Sequence, residues 1–122
     1  MECYDLLIDV YGRLTVFPNN VLQGFPPDKL NWQPRPDCNS IGWLVWHLTR
    51  QQDAQIASLM NEQQLWIKNG WASRFNHSPN SNDVGFGHTP EQVSSFTFPD
   101  IQIMLDYHCD VQEHTLNYLQ QI

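Results

Sequence analysis

Five histidines are the residues of this chain best suited to chemistry: His47, His77, His88, His108 and His114. A neutral imidazole ligates transition metals, and its charge changes near neutral pH. Spacing decides whether any two can act together. Neither His-Glu-x-x-His nor His-x-x-x-His occurs, so no pair stands one helical turn apart. His108 and His114 are six residues apart, which puts them about 120° apart around a helix and about 9 Å apart along it. They cannot grip one ion from the same helix. Asp110 and His114, four apart, do share a face as a chelating pair must. That face points away from the Ile101, Leu105 and Leu119 stripe, so the pair reads as solvated.

His47 lies among Trp43, Trp46 and Leu48. One ligand does not make a tetrahedral site, and pattern alone favours a hydrogen-bonded core histidine over a metal ligand. His108 faces the core side of its helix. It is either a buried histidine bonded to a neighbouring helix or a neighbour in the pocket of His47. Cys38 precedes a helix N-terminus, where a thiolate can be stabilised. A Cys38–His47 dyad fails on distance, because nine residues of helix rise roughly 13 Å against the ~3 Å a proton transfer needs. Cys38 therefore reads as a small loop hydrophobe, and Cys109 as a packed one. Trp32, Trp43, Trp46, Trp66 and Trp71 read as core and loop anchors, with a ligand pocket under the long connection as the alternative. No Gly-x-Gly-x-x-Gly, Walker or Gly-x-Ser-x-Gly motif is present.

The elements that must position these residues are helices. Cys3, Leu7, Val10, Leu14, Phe17 and Val21 recur at alternating spacings of three and four, the stripe of an amphipathic helix from about Glu2 to Leu22. Pro18 is expected to kink that helix, not to break it. Four prolines between Gly24 and Asn39 forbid a long helix there, though Pro27 to Leu30 suits one turn. Ser40 or Asn39 caps a second helix from Ile41 to Met60, whose main face is Ile41, Leu44, Val45, Leu48, Ile56 and Leu59. Trp43 and Trp46 make its first half apolar nearly all round, which is the signature of an enclosed segment. Residues 61 to 98 carry no long stripe. A short helix fits Gln63 to Ile67, and Thr89-Pro90-Glu91-Gln92 forms a capping box. The last helix, about Asp100 to Ile122, places Ile101, Met104, Leu105, His108, Val111, Thr115, Leu119 and Ile122 on one face. Long helices joined by one long crossover make an all-α bundle in a single domain.

Composition excludes several classes. Six Lys+Arg against thirteen Asp+Glu give a net charge of −7, so the basic stripe of a nucleic-acid binder is lacking. The same deficit opposes docking on anionic membranes. The longest unbroken apolar stretch, Trp43 to Trp46, is far short of the ~18 residues of a membrane span. An odd cysteine count without a Cys-x-x-Cys pair suits reduced thiols and a cytoplasmic location.

The stretch Asn39-Ser-Ile-Gly-Trp-Leu-Val-Trp-His-Leu-Thr-Arg50 resembles the second helix of the DinB-like superfamily. The stretches Gln64 to Phe75, Asp83 to Val93 and Tyr107 to Leu119 are similar to one uncharacterised branch of it, related to a mycothiol-dependent maleylpyruvate isomerase. The resemblance covers almost the whole chain in order. It implies an up-down-down-up four-helix bundle with the crossover between helices two and three. It also implies a divalent metal, zinc or nickel, held by a histidine on helix two and by two residues four apart on helix four. Only His47 matches a ligand position. His88 and His108 match positions usual in the branch, without a ligand role, and Gln55 and Gln112 stand where it often has histidine. The chain stops at Ile122, where the third long helix ends, so a fourth helix and both remaining ligands are expected to be absent. Three helices would leave an apolar seam in water, which marks an interaction surface. Two functions follow from the resemblance. One is a helical binding and dimerisation module, a homo-oligomer that has lost the site. The other is a metal-dependent transferase or isomerase that uses a low-molecular-weight thiol and a small-molecule substrate, with His47 as one ligand.

Overall fold

The structure is a computed structural model that describes residues 3–14 and 16–121. The described residues are all-helical. Helix α1 spans Cys3–Leu14 and α2 spans Phe17–Leu22. Pro18 thus stands in the first turn of a new helix, where its missing N–H is not needed. The expected kinked rod is two helices. A 3₁₀ turn, Pro27–Lys29, follows in the proline-rich connection.

Helix α3, Ile41–Met60, begins where the side chain of Ser40 accepts a hydrogen bond from the Trp43 N–H. It ends at Asn61, whose left-handed φ of 55° closes the last turn. The crossover contains α4 (Leu65–Lys68), α5 (Trp71–Arg74) and α6 (Pro90–Ser95), the last with the expected Thr89–Gln92 capping box. Helix α7, Ile101–Gln121, opens with the Asp100 carboxylate accepting from the Ile103 N–H.

The pairings give the topology. Thr49 meets His108 and Gln52 meets Gln112, so α3 and α7 run in the same direction. The carbonyl of Leu14 meets His108 and that of Tyr11 meets Gln112, so α1 runs opposite to α7. This is the up-down-down order, with α7 between α1 and α3. The core joins Trp43, Trp46, Leu65, Trp66, Trp71, Phe75, Val93, Phe98, Met104, Tyr107 and Val111.

The buried face of α3 differs from the expected one. Leu44, Leu48 and Leu59 are 45%, 38% and 68% exposed, while Thr49, Arg50, Gln52 and Asp53 are buried with Val45, Ile56 and Ala57. Polar groups can occupy the inner side because each finds a partner there: Gln52 donates to both Gln112 and Thr115. Cys109 is exposed instead of packed. Trp32 is exposed as well, whereas the other four tryptophans are buried.

Candidate functional site

The first half of α3 and the crossover segment 81–88 build the most elaborate side-chain cluster. The His47 ring stacks on Trp43, one turn earlier, with centroids 4.6 Å apart. Its Nδ1 lies 2.5 Å from the Val84 carbonyl oxygen. A carbonyl only accepts, so Nδ1 carries the proton and Nε2 keeps the lone pair. Nε2 has no hydrogen-bond partner among the described residues. A backbone carbonyl that fixes tautomer and ring plane in this way is the support a metal-ligating histidine needs.

Segment 81–88 is tied to α3 at several points. Arg50, fully buried, donates Nε to the Asp83 carbonyl and an Nη to the Ser81 carbonyl. Trp43 donates its indole N–H to Nδ1 of His88 at 3.0 Å, and Nε2 of His88 stands 3.0 Å from the Asp83 carboxylate. Both His88 nitrogens are thus engaged, and the ring braces the segment without a free lone pair. Gly85 fits only because it lacks a side chain: its φ is +90°, and a Cβ would lie 2.8 Å from His47 Nδ1 and 2.9 Å from Trp46.

Beneath this cluster lies a polar hub that patterns of histidine spacing did not reveal. Asp53 accepts from the Leu65 and Trp66 N–H groups, which opens α4, and from the Tyr107 hydroxyl at 2.7 Å. The Arg50 guanidinium is 3.7 Å from Asp53, bonds Gln64, and lies over the Trp66 ring. Burial pushes the Tyr107 hydroxyl well above its ordinary value, and the Asp53 carboxylate adds to the shift. The signal was an Arg and an Asp three residues apart on a helix with no other Asp, Glu, Lys or Arg, a pair that is tolerated inside only when fully bonded.

The other histidines stand apart. His108 donates Nε2 to the Leu14 carbonyl at 3.1 Å, and its Nδ1 is 3.3 Å from the Thr49 hydroxyl. His47 and Thr49 are about 200° apart around α3, so His108 does not share the surroundings of His47. His114 lies 3.7 Å from Glu62, while Asp110 accepts from Asn69 and from the Trp71 indole. The two residues of that pair therefore face different partners, and Asp110 braces α5 instead of chelating. His77 stacks on Phe96 at 3.9 Å.

Among the described residues no three His, Cys, Asp or Glu side chains converge on one point. The described residues supply one oriented nitrogen, at His47, and do not form a complete metal site.

Between them, α3 and α1 leave an open groove of about 350 Å³ lined by Leu7, Val10, Tyr11, Leu14, Leu48, Gln51, Gln52 and Gln55. None of these side chains is charged. Among the described residues no helix is long and apolar enough to cross a membrane.

The model of the DinB superfamily matches residues 19–122. A solved structure, described as the conserved protein of locus from Enterococcus faecalis, superposes with a TM-score of 0.88 at 28% identity, covering 100% of this chain and 72% of that one. No curated protein matches the chain.

Proposed function

This chain belongs to the DinB superfamily, and from that premise we propose that it is a helical binding module whose working surface is the seam between α1 and α3 and whose partner is a second copy of itself. The observation that carries the reading is the neutrality of the seam. The chain bears a net charge of −7, so two copies repel across most of their surfaces. The groove is the exception, offering Leu7, Val10, Leu14 and Leu48 beside Gln51 and Gln55. A glutamine amide both donates and accepts, so it can pair with its own kind across a two-fold axis. Each Å² of apolar seam withdrawn from water contributes about 25 cal/mol. Equilibrium sedimentation of the wild type and of Leu48→Glu tests this. The wild type sediments as a dimer, and the variant, which would set two like-charged carboxylates against each other in the seam, one from each copy, sediments as a monomer of unchanged helicity. A monomeric wild type throughout the micromolar range overturns the reading.

A second reading rests on His47. Its Nδ1 is committed to the Val84 carbonyl, which leaves Nε2 as a preset donor atom. In this reading His47 is one ligand of a zinc or nickel ion in a thiol-dependent transferase or isomerase, and the other ligands come from outside the described residues. Competition titration with a chromogenic chelator checks it: wild type retains a stoichiometric ion that His47→Ala loses. Equal retention by both proteins removes it.

A further inference from the structure

The bond between Trp43 and His88 fixes a protonation state. An indole N–H can only donate, so the His88 nitrogen that faces it, Nδ1 at 3.0 Å, must be an unprotonated acceptor. The single ring proton then belongs on Nε2, directed at Asp83. Turning the ring over changes nothing, because one nitrogen must still meet the indole N–H without a proton. A doubly protonated His88 cannot keep both partners.

The same segment covers His47. Val84 accepts the His47 Nδ1 proton, and Gly85 rests on His47, Trp43 and Trp46. We propose that Trp43, His88 and Asp83 form a proton-responsive latch: neutral His88 holds Val84 and Gly85 against His47, and uptake of a second proton frees them.

The groups around His88 set the balance. Asp83, with its side chain 33% exposed, faces the Nε2 side of the ring at 3.0 Å. On the α3 side stand Trp43, Trp46, His47 and Arg50, the last bonded to the Asp83 carbonyl. Beyond Phe96 lies His77, which also feels the Asp83 charge. The neighbouring Asn80, Asn82, Gln92 and Ser95 are uncharged. An ion pair partly open to water gains little on charging. The Trp43 indole, in a residue only 6% exposed, loses its one hydrogen-bond partner among the described residues. Arg50 keeps its hold on Ser81 and Asp83 in either state, so release is confined to the residues beyond Asp83.

Amide hydrogen exchange, expressed as protection factors from roughly pH 8 to roughly pH 5 where an imidazole changes charge, tests the latch. The Trp43 indole resonance is followed in parallel. Protection of the Val84 and His88 amides, bonded to the Asn82 and Gly85 carbonyls, drops by about tenfold or more across this range, while that of core amides in α7 stays constant. His88→Gln supplies an acceptor and a donor that do not titrate, and it keeps its protection at the acid end. Constant protection in the wild type across this range overturns the latch, and so does equal acid-induced loss in His88→Gln. The wild-type measurement decides by itself should the variant not fold.

Discussion

Gly85 and His47 meet with no room between them: a Cβ on the glycine would stand 2.8 Å from the imidazole Nδ1. The glycine backbone closes over the ring, and the next carbonyl back, that of Val84, takes the ring proton. One position thus sets both the covering of His47 and its tautomer.

Gly85→Ala is expected to lose on two counts. A residue with a side chain at a φ of +90° is strained, by roughly 1–2 kcal/mol, and the new methyl must displace His47, Trp43 or Trp46. Urea denaturation should show at least that loss. Long-range ¹⁵N–¹H correlation of the His47 ring should show the Nδ1–H tautomer give way to a mixture.

Asp53 binds the crossover to the bundle through three donors. Asp53→Ala leaves the Leu65 and Trp66 amides, the Tyr107 hydroxyl and the Arg50 charge without their carboxylate, at a cost of about 3–5 kcal/mol. Tyr107→Phe removes one donor and leaves the rest intact, at about 1 kcal/mol. Chemical denaturation of both should give this order. Equal effects would mean that Asp53 does not act as a hub.

His108 makes stability depend on pH with a definite sign. Burial holds its value below the ordinary 6.5, although the bond to the Leu14 carbonyl pulls the other way. As pH falls below about 6.5 the unfolded chain takes the proton first, so folding stability declines until the pH passes below the folded-state value. One proton corresponds to a slope of at most about 1.4 kcal/mol per pH unit. His77, lowered in the same way by burial, acts in the same direction. Urea midpoints measured from neutral to acid pH should fall, and the fall should be shallower in His108→Gln.

Much of this fold was legible because its signals are local. The limits of α3 follow from Ser40 and the apolar period, and α6 follows from the Thr89–Gln92 box, with the structure agreeing on both. The stripe predicts one helix across Pro18 where the structure has two, because an apolar stripe can continue across a break between helices. The face of α3 differs from the expected one for another reason. Leu44, Leu48 and Leu59 are as apolar as core residues, and only the long-range partners of Arg50, Gln52 and Asp53 turn the polar side inward. His47 was visible as a candidate, but the tautomer that makes it one depends on Val84, far along the chain. No spacing rule reports such a contact.

The central claim is that the seam between α1 and α3 receives a second copy. An isotope-filtered NOE experiment on a mixture of ¹³C-methyl-labelled and unlabelled protein observes that contact directly. The claim requires cross-peaks between copies at Leu7, Val10 and Leu48, all lost in Leu48→Glu. Absence of any transfer to those methyls, or transfer confined to another surface, contradicts it.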